Sequence, residues 1–408
     1  MTYHSNLAKL VRIICVLLYL VLPANAQRLN EVYLHARADV IRGQYAEAVE
    51  KIFSIPAGER TTNMYQTVGE SFYLAGKYSE AARNFAVADS VRANPHAQLF
   101  AARAYAMMQQ PAKAVEWLQK YLSQRDKISE SEIALDPAFE KIERSREWQA
   151  LWNREWYNAA DRRESEAAVL FRRNRYTDAL AIIDTEIANR NSSARFFALR
   201  AKVYNAMEQH EPAHESAQTA IRMRNNSAEY FADAAKMAVN VKKYEIALDN
   251  INRAIRLEPY HLELYLQRAA ILRLEQKFDD ARNDVNFYFR FMPADNKALF
   301  QMGIAETEAG NPLTGIEYFN KLIDNDKTSP EYFIARANAH IISNDYTLAG
   351  DDLSQALDLD PRLPEAWHKK GVVLQQENNN EDACYYWRRA LEMGHGEAAE
   401  YIYRYCIR

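Results

Sequence analysis

The chain has 408 residues, 48% of them hydrophobic and 26% charged, which is ample for a sizeable core and unlike a disordered composition. With 55 Asp and Glu against 51 Lys and Arg there is no basic surplus, so nucleic acid is not an expected partner. Only 11 Gly and 12 Pro stand beside 25 Tyr and 16 Phe, too little punctuation for a turn-rich sandwich or barrel, and an all-helical fold is expected.

Residues 1–26 differ in kind from the rest. Lys9 and Arg12 precede the apolar run Ile13 to Leu22, followed by Pro23 and the small-residue site Ala24-Asn25-Ala26, the layout of a secretory signal peptide. Ten apolar residues are too few for a permanent span, which needs roughly 20, and no later run approaches that length. Cleavage is expected before Gln27, leaving 49 basic residues against 55 acidic ones and no transmembrane segment. An exported protein of the periplasm or cell envelope, or a secreted one, is the expected destination. The mature chain keeps two cysteines, Cys384 and Cys406.

Small residues then recur at fixed intervals. Over residues 27–125, Ala36, Gly69 and Ala102 form one row at a spacing of 33, and Ala48, Ala81 and Ala114 a second, predicting about three helix-turn-helix units. Residues 126–159 keep amphipathic helical spacing but lose both rows, and are expected to form an irregular helical joint. Over 160–396 the spacing becomes 34. One row reads Ala167, Ala201, Ala235, Ala269, Gly303, Ala337, Gly371, and the other, 12 residues later each time, Ala179, Ala213, Ala247, Ala281, Gly315, Ala349, Ala383. Four residues beyond the second row an apolar residue recurs, from Ile183 to Trp387. One small residue per helix at a close crossing explains both rows, and seven units follow. Residues 397–408 are expected to supply a capping helix over the last apolar face.

The motif Tyr65-x2-Val68-Gly69-x2-Phe72…Ala81-x3-Phe85, and again Trp367-x2-Lys370-Gly371-x2-Leu374…Ala383-x3-Trp387, resembles the tetratricopeptide repeat family. The resemblance covers roughly residues 28–125 and 160–397. It implies an all-α, right-handed superhelical solenoid whose first helices line a concave groove for peptides or proteins. Arg200, Arg268, Arg336 and Lys370 depart from the usual Leu beside the small residue, and Gly315 from the usual Ala, so looser packing is expected in those units. Cys384 and Cys406 each lie 11 residues from His395, so an antiparallel helix pair turning there would bring them together, as a disulfide or as two buried thiols.

Catalytic signatures are scarce. His210-Glu211-Pro212-Ala213-His214 fits the zinc-protease pattern, in which two histidines one helical turn apart hold the metal and Glu acts as general base. Read in the 34-residue register, however, His210 occupies a turn position, Glu211 and Pro212 begin the second helix, and Ala213 belongs to the small-residue row. The two histidines are therefore expected to straddle a helix start, and a zinc metallopeptidase is only a remote alternative. The histidines at 35, 96, 261, 340, 368 and 395 show no metal-ligand spacing, and no phosphate-binding or serine-hydrolase motif occurs. No enzyme, metal or cofactor is expected.

By the family resemblance, the groove should expose Arg172, Lys202, Asn205, Lys236, Asn240 and Arg273, a polar and locally basic strip suited to carboxylates and backbone amides, or else an ordinary solvated face. The Lys/Asn constellation of chaperone-tail binders is not reproduced. Three residues before the first row stand Ala198, Ala232, Leu266, Phe300, Ile334 and His368, increasingly apolar through Ile334, which offers either a hydrophobic anchor or a surface shielded by neighbouring repeats. The expected function is a non-enzymatic scaffold that binds an extended peptide or protein partner in this groove. The alternative is a structural subunit of an envelope secretion or surface-assembly machine.

Overall fold

The computed structural model describes residues 24–124, 127–189 and 193–406. Of the leader-like segment, residues 1–23 lie outside the described residues. Among the described residues there are only helices and turns, and no helix is long and apolar enough to cross a membrane.

The helices come in pairs. The first three pairs are α1 (Ala24–Ile41) with α2 (Tyr45–Phe53), α3 (Thr62–Leu74) with α4 (Tyr78–Val91), and α5 (Pro95–Met107) with α6 (Pro111–Leu122). Two short helices follow, α7 (Glu130–Ala134) and α8 (Arg146–Leu151). Seven pairs come next: α9 (Ala159–Arg172) with α10 (Tyr176–Ala188), α11 (Ala194–Ala206) with α12 (His210–Met223), α13 (Ala228–Asn240) with α14 (Tyr244–Leu257), α15 (Glu263–Leu274) with α16 (Phe278–Phe289), α17 (Asn296–Glu308) with α18 (Pro312–Asn325), α19 (Pro330–Ile342) with α20 (Tyr346–Leu359), and α21 (Pro364–Gln376) with α22 (Asn380–Glu392). A last helix, α23 (Ala398–Tyr405), ends the chain's described part.

Local chemistry sets these boundaries. Thr61, Asn94, Ser193, Ser227 and Asp295 each accept a hydrogen bond from an amide of the first helical turn, satisfying a donor that the helix itself leaves unpaired. Pro95, Pro312, Pro330 and Pro364 sit at first-turn positions where a missing amide costs nothing. Between the two helices of a pair, one residue adopts positive φ, for example Lys242 at 58° and Gly310 at 87°. The amide that follows it then bonds back to a carbonyl of the first helix, as Lys243 does to Ala238 at 2.9 Å.

The two small-residue rows have a steric cause. Each first-row residue lies opposite the buried side chain 16 residues later on the second helix of its pair. Where the first-row residue is glycine, that side chain is aromatic: Gly69 with Phe85, Gly303 with Phe319, Gly371 with Trp387. A Cβ on these three glycines would stand 2.8, 2.6 and 2.6 Å from the respective rings, closer than real atoms approach. Where the first-row residue is alanine, the facing residue is aliphatic, from Ile52 opposite Ala36 to Leu353 opposite Ala337. The bulkiest side chains thus meet the smallest partners, while Ala201 with Ala217 stands outside this compensation.

At Gly315, Arg268, Arg336 and Lys370, four of the departures expected to loosen the packing, the side chains at or beside the position make bonds of their own. Gly315 leaves room for Thr307, whose hydroxyl would be 2.1 Å from an added Cβ and donates to the Gly303 carbonyl at 2.8 Å. Arg268 forks onto both carboxylate oxygens of Asp284 at 2.5 and 2.7 Å and donates to Asn252 at 2.9 Å. Arg336 repeats the arrangement with Asp352 and Asn320, and Lys370 donates to the Gly350 carbonyl and to Ser354. Arg268 and Arg336 each bond the second helix of their own pair and that of the preceding pair, 16 residues away in either direction, whereas Lys370 bonds only the preceding pair.

The chain divides into two compact units, residues 1–224 and 225–408, with the division between α12 and α13, and the joint expected over 126–159 falls within the first. That joint is packed into the first unit. Phe139, Ile142, Trp148, Leu151 and Tyr157 share one buried cluster with Leu118 and Leu122 of α6, and the Tyr157 hydroxyl donates to the Ile128 carbonyl at 2.8 Å. In the second unit, α23 covers the last pair: Tyr401 and Tyr405 lie 5.1 and 5.7 Å from the Trp387 ring. Cys384 on α22 and Cys406 just after α23 have Cα atoms 5.7 Å apart and sulfurs at bonding distance.

Candidate partner-binding groove

The second unit holds a groove of about 870 Å3, and a smaller hollow of about 390 Å3 that shares Phe300 with it. Both are lined by the first helices of successive pairs, and the 34-residue period therefore turns into rows of lining residues. Leu266, Phe300, Ile334 and His368 make one row. Ala270, Ile304, Asn338 and Val372 make the next. The centre is apolar, with Phe300, Ile304, Ile334 and Val372 all contributing.

Charge lies at the edge. The larger groove is lined by four carboxylates, Glu308, Glu331, Glu365 and Glu397, and by two cations, Arg273 and Lys369. Both cations are already engaged. Arg273 forks onto Glu308 with two bonds of 2.8 Å and also donates to Gln301, while Lys369 lies 3.4 Å from Glu365. The groove is net acidic. Arg273 spends its charge on Glu308 one repeat away and Lys369 on Glu365 of its own helix, so neither offers the groove an unengaged cation.

Of the six residues expected to bind a partner, only Arg273 lines the groove. Lys236 and Asn240 lie on α13, outside the lining, although Lys236 shares the register of Ala270, Ile304, Asn338 and Val372. In the groove that register position is mostly apolar. Arg172, Lys202 and Asn205 belong to the other unit, and Arg172 lies 3.5 Å from Glu132. What sequence reasoning did catch was the row running through Leu266, Phe300 and Ile334.

The protease-like pentapeptide needs a correction too. Helix α12 begins at His210, so both histidines ride one helix, one turn apart, and do not straddle its start. His214 turns into the core with 6% of its surface exposed, whereas His210 is exposed. Among the described residues, the pair joins no cluster of three metal-ligating side chains. A cluster of that kind forms elsewhere, from His368, His395 and Glu397, at the wall of the groove. Burial first, and the neighbouring His395 second, hold the His368 imidazole down at about 4, so the ring is neutral near pH 7.

Residues 69–128 match the family model for the tetratricopeptide repeat. That stretch is similar to the tetratricopeptide repeat, and the paired helices on either side of it share the same fold. No sequence match to a curated protein was found. Among solved structures, a tetratricopeptide repeat protein from Parabacteroides merdae ATCC 43184 shares 15% identity with a TM-score of 0.54, over 59% of this chain and 95% of that one. Yeast Tom70 aligns over 92% of this chain and 93% of its own at 13% identity and a TM-score of 0.42. YrrB, a tetratricopeptide protein described as having an unusual peptide-binding site, covers 47% of this chain and 99% of its own, at 15% identity and a TM-score of 0.33. In each unit the helix pairs stack on their neighbours, as repeat arrays do.

Proposed function

We propose that this tetratricopeptide protein is a non-enzymatic scaffold whose second unit binds an extended segment of a protein partner. The observation that supports this reading is that Phe300 and Ile334 of one row and Ile304 and Val372 of the next line the groove together with four exposed carboxylates. A segment with apolar side chains at its centre and Lys or Arg at its flanks fits that chemistry, and a carboxylate-rich segment does not. An array of short peptides varied in apolar and basic content tests this. Basic-apolar peptides should bind the wild type, and the Glu331→Lys/Glu365→Lys variant should weaken them by roughly tenfold, since each lost edge contact costs about 1 kcal/mol. Equal retention of acidic peptides by the wild type would count against the proposal.

The scaffold is further proposed to act in the cell envelope after export. Supporting this are the leader-like residues 1–26 and the closeness of Cys384 and Cys406, since disulfides persist where the compartment is oxidising. In protein taken from its native compartment and denatured without reductant, no free thiol should be detected among these two. Reduction should lower the stability of the cap by about 3 kcal/mol in the chain-entropy model. Two reactive thiols would argue for a reducing location instead.

A further inference from the structure

We propose that His368, His395 and Glu397 form a binding site for a divalent transition-metal ion, with zinc the best fit, in the wall of the groove. The residues come from two places, His368 from α21 and the other two from the turn between α22 and α23, and their ligand atoms all lie within 4.8 Å of one another. The two imidazole rings are 4.6 Å apart and the His395 Nε2 is 3.8 Å from Glu397.

Two further observations point to a ligand. His368 is 93% buried, at 7% exposure, yet its Nδ1 makes no hydrogen bond, and the buried Nε2 of His395 makes none either. A buried polar atom without a partner is costly, and native structures normally supply one. An ion among these atoms would supply it for both rings.

The donor set selects the ion. Two imidazoles and one carboxylate suit zinc, while calcium and magnesium prefer oxygen donors throughout. Zinc holds its ligands at about 2.0 to 2.2 Å, which puts neighbouring donor atoms roughly 3.3 Å apart, so the site must contract slightly. Glu397 can supply most of that movement, because its side chain is 83% exposed and tied down only by the 3.8 Å approach to His395. His368, fixed in the core, is the anchor. Three protein ligands leave a fourth position, and since all three residues line the groove, it is open there to water or to a donor atom of whatever the groove holds.

The site is tested without any partner. Full-length protein stripped with a chelator should bind one zinc ion per chain in a calorimetric titration, and cobalt in its place should give the intense visible absorption of a tetrahedral site. His395→Ala and Glu397→Gln should each weaken zinc by roughly tenfold or more, and zinc should raise the melting temperature of the wild type but not of these variants. Glu397 is exposed, so its loss should leave the fold intact. His210→Ala should leave the titration unchanged. The proposal fails if no stoichiometric zinc binds, if both variants bind as the wild type does, or if binding follows His210 instead. Because peptide binding is not the readout, failure here would leave the groove reading standing.

Discussion

Substituting Gly371 by alanine should destabilise the second unit by about 2 kcal/mol, a large effect for one methyl group. Its new Cβ would lie 2.6 Å from Trp387 Nε1 and 2.7 Å from Cδ1. The indole has nowhere to retreat, because it is fully buried and packed on its far side against Tyr401 and Tyr405. Trp387→Leu alone should cost about 3 kcal/mol through the cavity it leaves. The combination Gly371→Ala/Trp387→Leu recreates the pairing that Ala337 and Leu353 already make within one buried cluster two helices earlier. Its cost should therefore fall below the sum of the single losses by at least about 1 kcal/mol. Urea unfolding followed by circular dichroism measures the cycle. Strict additivity would show that the two positions do not share a volume and that the glycine-aromatic correspondence is incidental.

That correspondence marks the limit of what periodicity reveals. The 33- and 34-residue rows identify the helices, their pairing and the family resemblance, because a close crossing in every unit demands a small residue in a constant place. They do not explain why position 303 or 371 is glycine, since the reason sits 16 residues away on another helix. The same blindness made Arg268 and Arg336 look like packing faults when their partners lie at 16 residues in both directions. It made Arg273 look like a free cation although Glu308, 35 residues on, neutralises it. The apolar row was legible because its members repeat in register. The cluster of His368, His395 and Glu397 was not, because the turn expected near His395 does not by itself say that His368, 27 residues earlier on another helix, lies against it. The division after Arg224 likewise left no trace in the spacing, which runs through it unbroken.

Removing Arg268 should produce the second large effect, about 3 kcal/mol for Arg268→Ala, because it strands a buried carboxylate. Asp284 is 6% exposed, and burial already pushes its carboxyl above the usual aspartate range while the two bonds from Arg268 pull it back. Without the guanidinium only the upward push remains. An aspartate whose folded value lies above its unfolded one favours the native state when protonated, and that advantage disappears as pH rises through the folded value. The deficit of Arg268→Ala relative to wild type should therefore be largest near neutral pH and shrink on acidification. Arg268→Ala/Asp284→Asn should recover part of the loss at neutral pH, since the neutral amide carries no charge to desolvate. Arg336, which bonds Asp352 and Asn320 at the corresponding positions, supplies an internal replicate, and Arg336→Ala should cost a comparable amount near neutral pH. A loss below about 1 kcal/mol that ignores pH would instead describe an exposed ion pair. In that case the link between successive pairs would have to come from the apolar contacts alone, with the bond from Arg268 to Asn252 of the preceding helix contributing little.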